Sequence, residues 1–481
     1  MTISFDNIPT SIRKPGIYTE YNKTLAVQGL PANAPKVALL AQMTSSGIGS
    51  DGTPVKVFSE NDLVLYGGTG SIAHLSGKAI FDANPNVDLT LVPISDGAGT
   101  DSTGTITISA GGGDATYAGT METWIGNARV ETTISVGDDT DTIAASLQTS
   151  IAALEHKMPI TSAVASSVVS VYARNYGTLG NNVALSSKMY ANGDATATIV
   201  QPTGGATDPS IATALTNIYA GDYNIICNTL NNSTALGLLS THLTDRASPT
   251  EDRPAIGTFG YNGVQATIET LCGTTLNDER MSCAYLKTTK TTERGHSLDY
   301  EIAGAYTGVI ASEQDPARPL NGLVLKGIAP CAEENKLSRT QQESLLLNGV
   351  TPLENVTGEK VAIVRAISTY TTSVTGFADP SMLDITTIRT LDYTKLAIET
   401  RLGLVFPRSK LSQRTPAKVR TQVINVLKLL DEQEILENVD VNIDQVIVER
   451  NANDANRIDI QIPCDVVNGL HVMAMRLDLF L

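Results

Sequence analysis

The chain has 481 residues, 42% hydrophobic and 17% charged, with a formal net charge of −16. That is enough apolar material for about three packed domains, and the acidic balance argues against the clustered basic face of a nucleic-acid binder. No run of eighteen apolar residues occurs, which excludes a spanning helix, and Thr2-Ile3-Ser4-Phe5-Asp6 lacks a signal-peptide core.

Five scattered cysteines, Cys227, Cys272, Cys283, Cys331 and Cys464, form no C-x-x-C pair. They fit buried thiols in a reducing compartment, so no disulfides are expected and the protein is expected to be assembled in a cytoplasm.

Residues 1–30 are expected to form an arm and linker. After Pro15-Gly16, Ile17, Thr19 and Tyr21 alternate with Tyr18, Glu20 and Asn22 as in a short strand, and Pro31 and Pro35 bracket a small-residue linker. Residues 31–95 carry α/β grammar. Lys36 to Gln42, Pro54 to Phe58 and Val87 to Ile94 predict strands, and Ser59-Glu60-Asn61-Asp62 opens a short helix. Ile72, Leu75, Ala79 and Ile80 place a second helix over Ser71 to Ala83.

From 96 to 209 the composition turns to Gly, Ser, Thr and Ala, which predicts an inserted β-rich surface domain. Thr105 to Ser109, Ala128 to Val136, Ser162 to Ala173 and Asn182 to Met189 are the expected strands. A helix after Asp138-Asp139-Thr140 carries Ile143, Leu147, Ile151 and Leu154 on one face.

The α/β alternation resumes over 210–375. Strands are expected at Tyr223 to Cys227, Ala255 to Gly260 and Arg280 to Leu286, and helices at Ser233 to Arg246, Val264 to Leu271 and Leu298 to Ser312. The pattern predicts a mixed or parallel sheet covered by helices.

Residues 376–469 predict an α+β domain. Its helices run from Ile385 to Phe406 and from Thr415-Pro416 through Val419, Val423, Val426, Leu427 and Leu430, and its strands span Asp440 to Arg450 and Arg457 to Ile462.

Residues 470–481 form the last expected strand. Met475, Leu477, Leu479 and Leu481 fall on one face and Arg476, Asp478 and Phe480 on the other, while Leu470, Val472 and Ala474 alternate in the opposite phase, so the face switches near Met473. Such a strand either lies in its own sheet beyond a bulge or joins the sheet of another molecule.

Catalytic patterns are weak. Gly67-Gly68-Thr69-Gly70-Ser71 precedes a helix and could cradle a phosphate, but Gly77-Lys78 is followed by Ala79 and the position five before Gly77 is Ile72, so the phosphate-loop pattern fails and a tight turn is expected. Gly295-His296-Ser297-Leu298-Asp299 lacks the closing Gly of a nucleophile elbow, and Ser297 stands where a helix N-cap is expected. His74, His156, His242, His296 and His471 have no ligand spacing. No cofactor, metal or catalytic residue is assigned. An α/β core remains able to host a hydrolase or transferase, and a surface-binding module using the Thr/Ser-rich insert is a further alternative.

Charge in the last third is segregated. Lys395, Arg401, Arg408, Lys410, Arg414, Lys418, Arg420 and Lys428 precede Asp431, Glu432, Glu434, Glu437, Asp440 and Asp444. This is either two solvated helix faces or a charged interface, for which Arg408, Lys410, Arg414, Lys418, Arg420, Glu432 and Glu434 are the candidates.

Three segments in order carry a resemblance: Pro15-Gly16-Ile17-Tyr18-Thr19-Glu20, the run Gly137 to Thr140 with Ala173-Arg174-Asn175-Tyr176-Gly177-Thr178-Leu179-Gly180-Asn181, and Ile388-Arg389-Thr390-Leu391-Asp392-Tyr393. Together they resemble tail sheath proteins of Mu-like contractile-tailed phages over nearly the whole chain. The resemblance implies a virion protein without enzymatic activity, polymerised as stacked hexameric rings around a tail tube and contracting to drive the tube through the host envelope for genome ejection. It also implies tail tube, baseplate and tail terminator proteins as partners, with no direct nucleic-acid contact and no stable membrane insertion. Terminal arms would be exchanged between neighbouring subunits, which makes Ile17, Tyr18, Thr19, Tyr21, Met475, Leu477, Leu479 and Leu481 the candidate arm residues.

Overall fold

The computed structural model describes residues 11, 13–19, 30–110, 113–190, 194–288 and 295–480. The chain divides into two compact units, Asn33–Asp392 with Val466–Leu481 and Met1–Ala32 with Tyr393–Asp465.

The larger unit begins with β1 (Lys36–Met43), β2 (Val55–Val57), α1 (Glu60–Gly67), α2 (Ile72–Ala83) and β3 (Asp88–Ser95). Then come β4 (Thr103–Ser109), β5 (Gly119–Ile125), β6 (Ala128–Ile134), α3 (Thr140–Leu154), β7 (Ile160–Ala165), β8 (Val168–Ala173), β9 (Leu185–Tyr190) and β10 (Thr196–Thr203). It continues with α4 (Ala212–Ile218), β11 (Ile225–Asn228), α5 (Ser233–Ala247), β12 (Ile256–Tyr261), α6 (Gln265–Thr270), β13 (Met281–Tyr285) and α7 (Asp299–Ser312). β14 (Val324–Leu325), α8 (Arg339–Leu347), β15 (Thr351–Val356) and β16 (Lys360–Ile363) follow, and α9 (Ile385–Val405) starts in this unit.

Nine strands form one mixed sheet in the order β14-β16-β15-β13-β12-β11-β1-β3-β2. The central strands pair in parallel and the edges antiparallel. Val37 to Ala41 of β1 is an unbroken apolar, fully buried run, as a strand covered on both faces requires. α2 packs against β1 and α7 against β12, and the two helices meet with close backbones. A Cβ on Gly304 would collide with the Ser76 carbonyl oxygen, so glycine there lets the two helices touch.

Residues 96–209 build two antiparallel sheets, β10-β4-β8-β7 and β6-β5-β9, with the Ile143, Ala144, Leu147 and Ile151 face of α3 buried against them. Their ends come back together: Thr100 bridges Ala206, and a Cβ on Gly97 would lie 3.8 Å from Pro209 Cα. The apolar cores of these sheets and of the nine-stranded sheet are continuous.

The expected strand Ser162 to Ala173 is a hairpin, β7 and β8, because Ser166 takes φ 50° and reverses the chain. The expected helix at Val264 to Leu271 is shorter and passes into a π-turn, Leu271–Leu276, closed by Asn277 at φ 41°.

The smaller unit holds the remainder of α9, then α10 (Thr415–Glu432), α11 (Val439–Asn442), β17 (Ile447–Arg450) and β18 (Ile458–Gln461). α10 buries Val419, Val423, Val426, Leu427 and Leu430 along one stripe, as its spacing dictates. The expected strand Asp440 to Arg450 is corrected: Asn438 turns at φ 57° into α11, and the strand occupies Ile447–Arg450.

Candidate subunit interface

The last anchored residue of the C-terminal segment is His471. Its ring Nδ1 lies 2.7 Å from Asn321 Nδ2 and its Nε2 3.5 Å from Asp384, whose carboxylate also holds Arg365. Burial lowers the imidazole pKa, with Asp384 opposing that shift.

Beyond His471 every described side chain, Val472 to Phe480, is open to solvent. Val472, Met473, Met475, Leu477, Leu479 and Phe480 are 80–92% exposed. The strand expected here is not formed, because a ladder needs a neighbour and Val472 to Phe480 have none paired to them. The alternation is nevertheless present: Arg476 Nε and Asp478 Oδ1, two residues apart, meet at 2.8 Å on the face opposite Met475, Leu477 and Leu479. Leu481 lies outside the described residues.

The smaller unit supplies an unfinished sheet. β17 and β18 pair antiparallel, with Val448 opposite Ile460 and Arg450 opposite Ile458, and they form a sheet of two strands. Among the described residues no further strand pairs with either outer edge, and a ribbon of two strands is marginal in water. It is also too narrow to cover its own apolar side chains: Ile447 is 47% exposed and Ile460 37% exposed.

At the other end of the sequence Ile17 is wholly exposed, Tyr18 and Thr19 are exposed, and Tyr18 donates its hydroxyl to the Lys14 carbonyl. Tyr21 lies outside the described residues. Tyr393 donates to the Pro31 carbonyl at 2.8 Å, which ties the end of the linker to this unit.

The candidate charges separate into two sets. Arg408, Lys410, Arg414, Lys418, Glu432 and Glu434 are exposed. Arg420 donates to the carbonyls of Val446 and Ile443 at 2.8 Å each and so holds the turn before β17. Asp440 does meet a base, Lys428, at 3.0 Å. The first turn of α10 has no acid and its last turn no base, whereas Lys410, Arg414 and Lys418 crowd its N-terminus and Asp431, Glu432 and Glu434 its C-terminus. That polarity opposes the helix dipole, so the charges do not serve the stability of the helix.

Where catalysis was weighed, the geometry gives structural roles. Ser297 does not cap α7; its Oγ accepts from Ala329 N–H at 2.8 Å, and Glu301 instead accepts from Leu298 N–H. The Gly67 to Ser71 segment is a turn, with Gly68 at φ 87° and Gly70 at φ 68°. The helix N-terminus behind it is occupied, since Ser71 Oγ accepts from His74 N–H and Asn175 Oδ1 accepts from Ile72 N–H at 3.0 Å each. Among the described residues no three His, Cys, Asp or Glu side chains converge as a metal would need, and no helix is long and apolar enough to cross a membrane.

One cluster escaped sequence reasoning. The loop from Asn175 to Asn182 ties the insert to the end of β1 through Asn175 Nδ2 and Met43 O, to α2 through Ile72 N–H and Asn175 Oδ1, and to α7 through Asn182 and Asp299. Its density of Asn, Gly and Thr was the available signal.

Residues 204–369 match the family model described as phage tail sheath protein central domain, and residues 378–480 match that of the phage tail sheath C-terminal domain, together more than half of the chain. The chain belongs to the phage tail sheath family. A relative, the Mu-like prophage FluMu tail sheath protein of Haemophilus influenzae, is 29% identical over 493 residues, covering 98% of this chain and 99% of the relative. Two solved structures share the fold. The sheath tail protein from Desulfitobacterium hafniense has a TM-score of 0.53 at 14% identity, covering 95% of this chain and 97% of that one. The sheath of an extracellular contractile injection system in its contracted state has a TM-score of 0.51 at 12% identity, covering 98% of each chain. This sheath protein is therefore a structural component of a contractile phage tail, and its sheets and helices are those of the sheath fold. Residues 370–377 fall between the two matched segments.

Proposed function

We propose that the sheath protein polymerises as stacked hexameric rings around the tail tube, bounded by baseplate and tail terminator proteins, and contracts to drive the tube through the host envelope. Assembly takes place in the host cytoplasm, and the working site is the virion tail. No catalytic step, metal or cofactor enters this function.

The observation that carries the reading is the pairing of an unsatisfied donor with an unsatisfied acceptor. Val472 to Phe480 present apolar side chains to water, and the β17–β18 ribbon presents two open edges and part-exposed Ile447 and Ile460. A strand from one copy laid along the ribbon of the next would satisfy both by strand addition. Residues 13–19 would occupy a further edge from another neighbour. The exposed charges around Arg408, Lys410, Arg414 and Lys418 face a partner of acidic character, another subunit or the tube, and would set register and encounter rate more than affinity.

Negative-stain microscopy of the purified protein tests this. Striated hollow cylinders or rings are expected. Uniform monomers at every concentration and salt would overturn it.

A further inference from the structure

We infer that His471 is a proton-sensitive clasp: its neutral ring fixes the point at which the terminal segment leaves its own subunit, and protonation of the ring sets that segment loose. The inference rests on the reading that the segment joins a neighbouring copy, and it adds a means by which that joining is regulated.

The His471 side chain is only 14% exposed, although everything after it is open. Asn321, in the turn before β14, donates from Nδ2 to the ring Nδ1 at 2.7 Å. An amide NH2 only donates, so Nδ1 accepts and the ring is the neutral tautomer with its proton on Nε2. That nitrogen lies 3.5 Å from Asp384 Oδ1, at the start of α9. Gly469 leaves the seat open, since a Cβ there would lie 2.7 Å from both His471 Nε2 and Pro319 Cγ. The clasp therefore stands at the junction between the held and the free parts of the chain.

A proton on Nδ1 would set donor against donor across the 2.7 Å contact with Asn321. Asp384 is poorly placed to offset that loss. Arg365 takes both of its oxygens, Nε to Oδ1 and Nη2 to Oδ2 at 2.8 Å each, so an imidazolium meets only a long contact to the carboxylate and a repelling guanidinium behind it. Among the described residues Asp384 and Arg365 are the charged groups that act on the ring, and Glu343 of α8 acts on Arg365 instead. Burial lowers the imidazole pKa from 6.5, against the pull of Asp384 and with the push of Arg365. The clasped state thus binds fewer protons than the free one, so the clasp holds fully above pH 6.5 and loosens as the pH falls through the lowered value. The amide has one counter-move: Asn321 Oδ1 is buried with no hydrogen-bond partner among the described residues, and rotating the amide would turn that oxygen to an imidazolium and keep the clasp shut.

A held root serves strand addition. With the chain fixed at His471, the segment starts from one place and in one direction, and less freedom is lost when it pairs with a neighbour. Loosening the root returns that cost; one hydrogen bond lost corresponds to joining that is about two- to tenfold slower. Met475, Leu477 and Leu479 carry no titratable group, so protonation acts on the root and leaves the strand face unchanged.

The test uses the full-length chain with the exposed Cys464 replaced by Ser, because the other four cysteines are buried, and with Met473→Cys carrying a nitroxide spin label. In the isolated subunit the electron paramagnetic resonance spectrum is expected to show slow motion at about pH 7.5 and fast motion at about pH 5, with a midpoint below 6.5. His471→Ala is expected to give the fast spectrum at both, with an unchanged circular dichroism spectrum; should it fail to fold, the titration of the parent protein decides alone. A parent label whose motion stays the same over that range, as a rotated Asn321 amide would give, overturns the inference. Assembly of the parent is expected to slow about two- to tenfold over the same range beyond any change in His471→Ala, and identical pH profiles of the two proteins would also overturn it. The spin label reads the isolated subunit, so the two readings fail separately: a wild-type protein that forms no cylinders sinks the ring reading, and a label indifferent to pH sinks this one.

Discussion

Asn182 Nδ2 lies 2.8 Å from Asp299 Oδ2, and this bond joins the insert to the N-terminus of α7. Asn231 donates to the same oxygen at 2.9 Å, while Asn175 serves the N-terminus of α2 in the same way, through Ile72 N–H. The loop thus does the work of a helix cap at a distance. Asn175→Ala leaves a buried N–H and Asp96 short of partners, so a loss of about 1–3 kcal/mol is expected. Urea melts would measure it, and a change under about 0.5 kcal/mol, the scatter of ordinary surface substitutions, would show that the loop is not a clamp.

Much of the fold was legible because its signals are local. The helical spacing of Ile143, Leu147 and Ile151, Pro416 in the first turn of α10 and the apolar run of β1 each specify their element from within. What was not legible depends on partners far away in sequence. β10 carries Pro202 and alternates between exposed and half-buried residues, so it reads as linker until β4 is beside it. Ser297 stands where a cap belongs, yet its hydroxyl is claimed by Ala329, thirty-two residues on. In the candidate interface the alternation of Met475, Leu477 and Leu479 was visible, whereas the edges of β17 and β18 could be seen only once the structure showed that, among the described residues, no third strand joins them.

His242 supplies an acid limb to the stability curve. It is buried edge-on to Tyr219 with Arg246 nearby, and burial first, then the neighbouring charge, lowers its pKa to about 4. A folded pKa depressed below the unfolded 6.5 means that the folded state binds fewer protons, so the contribution is present above pH 6.5 and is lost as pH falls toward 4. The full swing is on the order of 3 kcal/mol. His242→Phe should lose correspondingly less stability between about pH 7 and pH 4.5 in urea melts. Equal losses in the two proteins would show that His242 is not the titrating group.

Arg414 sits at the N-cap of α10 without a side-chain cap bond, where its charge opposes the helix dipole. Arg414→Asp adds a cap and reverses the charge, so the isolated subunit should gain about 0.5–2 kcal/mol. If the basic cluster serves an interface, the same change should slow assembly and weaken its dependence on salt. A variant that is more stable and assembles as before would reduce the cluster to a solvated surface.

The terminal segment carries the largest expected effect. Burying Met475, Leu477, Leu479 and Leu481 in another subunit would stabilise by roughly 6–12 kcal/mol. Ordering the nine residues from Met473 costs about 9–18 kcal/mol, and ladder bonds at about 0.5–1.5 kcal/mol each bring the balance near zero. One arm is therefore marginal, and many arms closing together are needed. The exposed stretch Val472 to Phe480 spans about 30 Å when extended, enough to cross to a neighbour while His471 stays anchored on Asn321. Removing Met473 to Leu481 should leave a folded, soluble subunit, since the described residues of that stretch bury nothing, and should abolish cylinders; Leu479→Asp should do nearly the same. Thermal melts and electron microscopy of the truncated protein decide it. Cylinders of normal length would mean that the arm is dispensable, and a subunit that fails to fold would mean that the segment belongs to its own core.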